Sequence, residues 1–177
     1  MGMGREVITL PVVTVVGPSN SGKTILVEKL IRELTARGYR VATVKHAPQE
    51  SSIDLPGSDT WRHLAAGSAA TALVAPDKLV FLHPDPGPLT LREIARRFGD
   101  GYDLLLAEGF KQDPALKIEV HRRDHAAPLA GLKNRIAAAT EEPLPLEVPQ
   151  FAPDDIGGLA DLIQRVVIDP AAEVPGG

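Results

Sequence analysis

Gly17-Pro18-Ser19-Asn20-Ser21-Gly22-Lys23-Thr24 carries the spacing glycine, four residues, then Gly-Lys-Thr, a set of residue types suited to holding phosphate. Gly17 and Gly22 admit the backbone turns that aim successive N–H groups at one anion. The Lys23 ammonium is a point charge for β- and γ-phosphates, and the Thr24 hydroxyl is a ligand for Mg²⁺. A second candidate lies far along the chain, where the apolar run Leu104-Leu105-Leu106-Ala107 is bracketed by Asp103 and Glu108. Five residues of strand separate those acids by roughly 16 Å, so only one of them can face the phosphates. Ligands sit beyond the carboxyl ends of parallel strands, which selects Glu108 as the acid on the Mg²⁺ shell and leaves Asp103 at the strand start.

These residues need a strand, a loop and a helix to position them, and the flanking sequence supplies all three. Val12-Val13-Thr14-Val15-Val16 is β-branched and apolar, as a buried parallel strand requires. From Thr24 onward Val27, Leu30, Ile31 and Leu34 share one helical face, and Gly38 provides a stop. A second strand over 40–44 completes a strand–helix–strand unit. The polar segment Lys45 to Gly57 is too long for an idle connection. Ser58 and Asp59 read as caps of a short helix through Ala66, followed by strands over 69–74 and 78–82. Thr90-Leu91-Arg92-Glu93 is a capping box opening a helix to about Phe98. Lys117-Ile118-Glu119-Val120-His121 alternates as a half-buried strand does, and Ile136 to Ala139 adds a small apolar strand in the same sheet. Asp154-Asp155 precede a helix with Leu159, Leu162, Ile163 and Val166 on one face. The expected class is α/β, a three-layer P-loop NTPase fold with a mostly parallel sheet flanked by helices. One domain is expected over 1–169, with a disordered tail over 170–177.

The 177 residues suffice for one such domain and its core. With no cysteine, a disulfide framework, a thiolate zinc site and thiol catalysis are excluded, and a reducing, cytoplasmic setting is expected. No apolar stretch approaches the roughly 20 residues of a membrane span, and the first residues lack a signal-peptide core. A net charge of −4, dispersed basic residues and a single Trp61 argue against nucleic acid as a partner.

Several separated blocks together resemble the MobB family of molybdopterin-guanine dinucleotide biosynthesis adaptors along nearly the whole chain. Besides the P-loop these are Lys45-His46, Asp54-Leu55-Pro56-Gly57-Ser58-Asp59-Thr60, Arg62-His63-Leu64-Ala65-Ala66-Gly67, Glu108-Gly109-Phe110-Lys111, Lys117-Ile118-Glu119, and Pro149-Gln150-Phe151 with Asp154-Asp155-Ile156. Family members often carry a further histidine where this chain has Pro48-Gln49. The resemblance implies a dimeric P-loop protein that binds GTP with Mg²⁺ and hydrolyses it slowly if at all. It also implies a partner, the guanylyltransferase that converts molybdenum cofactor to its dinucleotide form. Base choice rests on this resemblance alone, since no Asn-Lys-x-Asp element occurs.

Around the P-loop four further positions are candidates. Lys45 and His46 fall at a strand's carboxyl end, where they would meet an anion or stand in solvent. Asp59, and less so Asp54, would join the Mg²⁺ shell, although Asp59 beside Ser58 reads equally as a helix cap. Lys111 would contact phosphate or substrate. A P-loop small-molecule kinase is the alternative function, and such an enzyme normally carries an Arg-dense lid that is not evident in this chain.

Overall fold

The computed structural model describes residues 10–48, 54–84, 87, 89–123 and 127–170. They fall into two compact units, one built from residues up to His46 and from Thr90 onward, the other spanning Ala47–Leu89.

The larger unit is a six-stranded sheet. Its strands are β1 (Val12–Val16), β2 (Val41–Lys45), β5 (Leu104–Glu108), β6 (Leu116–His121), β7 (Arg135–Thr140) and β8 (Gln150–Phe151). Their order is β2-β5-β1-β6-β7-β8, and every pairing is parallel. Alternation along the strands splits the core into two layers. Val13, Val15, Leu104, Leu106, Ile118 and Val120 face α1 (Lys23–Ala36) and α4 (Ile156–Ile163), which present Leu26, Leu30, Leu34 and Leu159. Leu105 and Ala42 face the other way, toward Leu10 and Ala95, the latter on α3 (Leu91–Phe98). This is the expected three-layer α/β architecture.

Local chemistry sets the helix limits. Thr90 and Glu93 form a reciprocal capping box on α3, while Asp155 caps α4 by accepting from Gly158 N–H. Helix α4 continues into a π-helical turn over Gln164–Ile168. Gly38, at φ 94°, closes α1 in the left-handed region that favours glycine. The expected tail begins at Pro170, and residues 171–177 lie outside the described residues.

One strand departs from its expected character. Alternation suggested a half-buried β6, yet this strand pairs on both sides, with β1 and β7, and Lys117, Glu119 and His121 are all buried. Two of the three, Lys117 and Glu119, find partners close by. The Lys117 ammonium donates to the carbonyls of Asp113 and Ala115 at 2.5 and 2.8 Å. Glu119 accepts from Leu129 N–H at 2.6 Å and lies 2.7 Å from Arg135 Nε.

The smaller unit consists of α2 (Asp59–Ala65) and an antiparallel pair, β3 (Thr71–Ala75) and β4 (Lys78–Leu82), joined through Pro76-Asp77. Both strands were expected, but they form a sheet of their own.

Candidate functional site

The P-loop occupies the turn from the carboxyl end of β1 to the first residue of α1. Its backbone explains the glycines. A Cβ on Gly17 would lie 2.6 Å from the Val120 carbonyl oxygen and 2.7 Å from Ser21 Oγ, so no larger residue fits against β6 there. Gly22 and Asn20 hold φ of 94° and 61°, which turns the chain back into the helix. No side chain caps α1 and no acid occupies its first turn, so the N–H groups and positive end of the helix face the loop's concave side.

Thr24 and Glu108, distant in sequence, lie side by side. Thr24 Oγ1 lies 3.0 Å from each carboxylate oxygen of Glu108, across 84 residues of sequence. Hydroxyl and carboxylate are hard oxygen donors, the set that Mg²⁺ accepts together with water and phosphate oxygens. Among the described residues no group of three or more His, Asp or Glu gathers to cage a metal. Two protein donors leave the other positions round such an ion to water and phosphate oxygens. Lys23 Nζ donates to the Pro18 carbonyl at 2.5 Å. Burial lowers its ammonium below the usual lysine value, and the Glu108 carboxylate works in the opposite direction.

Strand registry brings Lys45 directly opposite Glu108, and His46 N–H donates to the Glu108 carbonyl at 2.9 Å. The His46 ring packs on Phe110 with centroids 4.9 Å apart. That contact is made from an unusual backbone, since Phe110 has φ 51° and Gly109 has φ 91°. A Cβ on Gly109 would stand 3.1 Å from His46 Cβ, so the glycine lets the end of β2 close onto the turn after β5. Asp103, at the opposite end of β5, is engaged by Arg40 through its backbone N–H at 2.7 Å and its guanidinium at 2.9 Å. Those contacts hold its carboxyl below the usual aspartate value.

Two candidates have surroundings of their own. Lys111 lines a cavity of about 410 Å³ with Lys117, Lys133 and Asn134, and no P-loop residue forms part of its wall. Asp59 belongs to the smaller unit, in the first turn of α2, 3.7 Å from Arg62. Ser58 is the cap of that helix, accepting from Trp61 N–H at 3.1 Å, and Asp54 accepts from Ser58 and Thr60 at 2.8 and 2.9 Å.

Sequence reasoning missed Thr14. This fully buried hydroxyl donates to the Gly109 carbonyl at 2.6 Å, tying β1 to the turn that follows Glu108. A threonine in a β-branched run carries no signal of such a partner. The role of Val120 as the wall behind Gly17 was equally hidden, because nothing local links residues so far apart.

Comparison with known proteins then decides the family. The model of "Molybdopterin guanine dinucleotide synthesis protein B", MobB, matches residues 12–141. The chain belongs to the MobB family. It is 37% identical over 158 residues to the molybdopterin-guanine dinucleotide biosynthesis adapter protein of Haemophilus influenzae, covering 88% of this chain and 89% of that one. With the adapter protein of Escherichia coli the identity is 34%, covering 87% and 91%. A crystal structure of the MobB homologue from Bacillus stearothermophilus superposes with a TM-score of 0.66 at 30% identity, covering 88% of this chain and 96% of that one. Membership agrees with a P-loop site of nucleotide-binding type on a mainly parallel sheet. No helix among the described residues is long and apolar enough to cross a membrane.

Proposed function

We infer that this MobB family member is an adaptor in molybdopterin-guanine dinucleotide synthesis that binds Mg-GTP in its P-loop and assists the guanylyltransferase acting on molybdenum cofactor. The observation that carries the nucleotide part is the 3.0 Å meeting of Thr24 and Glu108 beside Lys23. Thr24 and Glu108 would hold the ion, directly or through its water, and the ion would neutralise charge between the phosphates. Lys23 would exchange the Pro18 carbonyl for phosphate oxygens, and the N-terminal N–H groups of α1 would cradle the rest. Lys45 and His46, held beside Glu108 by strand registry, are candidates for contact with an anion, and Lys111 is one for substrate. Asp59 is a proposed further ligand of the Mg²⁺ shell. Positioning supplies most of the rate in phosphoryl transfer, so a site that only holds the phosphates turns over slowly, well below a kinase's roughly 1–100 per second. A homodimer in the cytoplasm completes the reading, supported by the family resemblance and the absence of cysteine.

The test is a binding titration followed by reconstitution. Lys23→Ala is expected to lower Mg-GTP affinity by roughly 100-fold or more while the fold, read by circular dichroism, is retained. In a mixture of purified transferase, molybdenum cofactor and Mg-GTP, the wild-type chain raises dinucleotide output and the Lys23 variant does not. Rapid phosphorylation of a small acceptor, without effect on the transferase, would replace the adaptor with a kinase.

A further inference from the structure

A second cavity adjoins the phosphate cradle. It measures about 180 Å³ and lies between the first turns of α1 and the carboxyl ends of β6 and β7, with Ser21 and Gly22 forming part of its wall. It is therefore continuous with the P-loop and sits at the end of the sheet where ligands of open parallel sheets bind. Its size falls below the roughly 300–1,000 Å³ of a pocket that takes a whole drug-sized ligand, so it suits one flat fragment. Ile25, 60% exposed at the start of α1, and Pro153 give it apolar walls.

Two of its polar groups await a partner. Ser21 Oγ and His121 Nδ1 belong to side chains only 1% and 4% exposed, and neither has a hydrogen-bond partner among the described residues. Such groups are costly to leave unmet, and a bound ligand is one way to meet them. A carboxylate stands at the rim. Ala139, near the end of β7, belongs to the core on the α1 side of the sheet, and Glu141, just past the strand, lines the cavity beside it. Arg122 lies 3.8 Å from Glu141, and the two side chains are 49% and 43% exposed, so Glu141 is steadied yet open to a ligand.

We propose that this cavity is the nucleobase subsite and that Glu141 selects guanine. The proposal rests on the nucleotide-binding reading above and adds the group that chooses the base. An ionised carboxylate only accepts hydrogen bonds, through two oxygens side by side. Guanine presents N1–H and the 2-amino group as adjacent donors, which match that pair. Adenine presents a lone pair at N1, so the same carboxylate faces it without a bond, and a polar group left unpaired is what rejects a wrong ligand most strongly.

Titration calorimetry of the full chain with the Mg²⁺ complexes of GTP, ITP, XTP and ATP tests this. Inosine lacks the 2-amino group, so the wild-type chain should bind GTP roughly 10-fold or more tighter than ITP. In Glu141→Ala that ratio falls to about one, with the loss falling on GTP and not on ATP. In Glu141→Gln the amide accepts from N1–H and donates to the 2-oxo group of xanthine, so XTP gains on GTP, a gain that no loss of folding can imitate. Unchanged ratios of GTP to ITP and XTP in both variants, or ATP weakened as much as GTP, overturn the subsite. If the wild-type chain binds GTP and Lys23→Ala destroys that binding while Glu141 variants keep the guanine preference, only the subsite falls. If the wild-type chain binds no triphosphate, the nucleotide reading falls with it.

Discussion

Strands β5 and β6 flank β1 on either side, and both carry charge, but they use it in opposite ways. Around β5 the acids stand at the two ends, Asp103 just before the strand and engaged by Arg40, Glu108 its last residue and beside Thr24, with four buried apolar residues between them. In β6 the charged and polar residues lie inside the strand, and Lys117 and Glu119 are each 1% exposed. Position along a buried strand thus decides whether a charge is open to a ligand or committed to holding its neighbours. Lys23 and Lys117 show the same division. Burial lowers both ammonium groups, but Lys23 grips a single loop carbonyl whereas Lys117 bridges two carbonyls of the turn that leads into β6.

The sharpest way to break this contrast is to remove a charge from the interior of β6. Glu119→Ala leaves the Arg135 guanidinium without its 2.7 Å partner, and a loss of about 3–5 kcal/mol is expected in urea unfolding. A loss under about 1 kcal/mol would show that Glu119 resembles a surface acid. Lys117→Met should cost less, about 1–3 kcal/mol, because two carbonyls lose their donor while the stem's packing is largely kept. Its pH dependence has a defined sign. The folded ammonium titrates below 10.5, so between its folded value and 10.5 the unfolded chain holds more proton. The wild-type chain should therefore gain stability relative to Lys117→Met as pH rises through that window, which unfolding midpoints at several pH values would record.

The ends of β5 sharpen the comparison with smaller effects on stability. Glu108→Gln should weaken Mg²⁺-dependent nucleotide binding by roughly 10-fold, read as a shift in the Mg²⁺ titration at fixed nucleotide. Asp103→Asn should leave that titration in place. The smallest effect is the acid response of Asp103 itself. Its carboxyl is held below 3.8 by Arg40, so its stabilising contribution is present above that value and fades as pH falls through the folded one. The gap between wild-type and Asp103→Asn midpoints should be small at neutral pH and narrow as pH falls below 3.8.

Much of this was legible because the decisive signals were local. The P-loop, its strand and its helix are contiguous, the capping box at Thr90 lies within four residues, and strand geometry alone separated Glu108 from Asp103. What escaped depended on neighbours distant in sequence. Lys117, Glu119 and His121 alternate with Ile118 and Val120, a pattern that reads as one wet face until β1 and β7 close on both edges and Arg135 and the Asp113 turn cover the other side. The strands at 71–75 and 78–82 were visible as strands, but no feature of their own sequence tells that they pair only with each other. Asp59 is the ambiguous case, since an acid after a helix cap is found at that place for helix-dipole reasons alone.

The strand order has a consequence for how the protein comes into being. Because β5 lies between β1 and β2, the first strand–helix–strand unit cannot close its own sheet, and β1 and β2 remain unpaired with each other in the finished fold. A ribosome adding roughly 5–20 residues per second needs several seconds to travel from Thr24 to Glu108, 84 residues later. During that interval the phosphate loop exists as sequence, but Glu108, the acid proposed to complete its site, does not yet exist at all. The nascent chain therefore has no completed nucleotide site to fold around, and ligand can begin to stabilise the protein only after β5 has threaded between two strands made long before it.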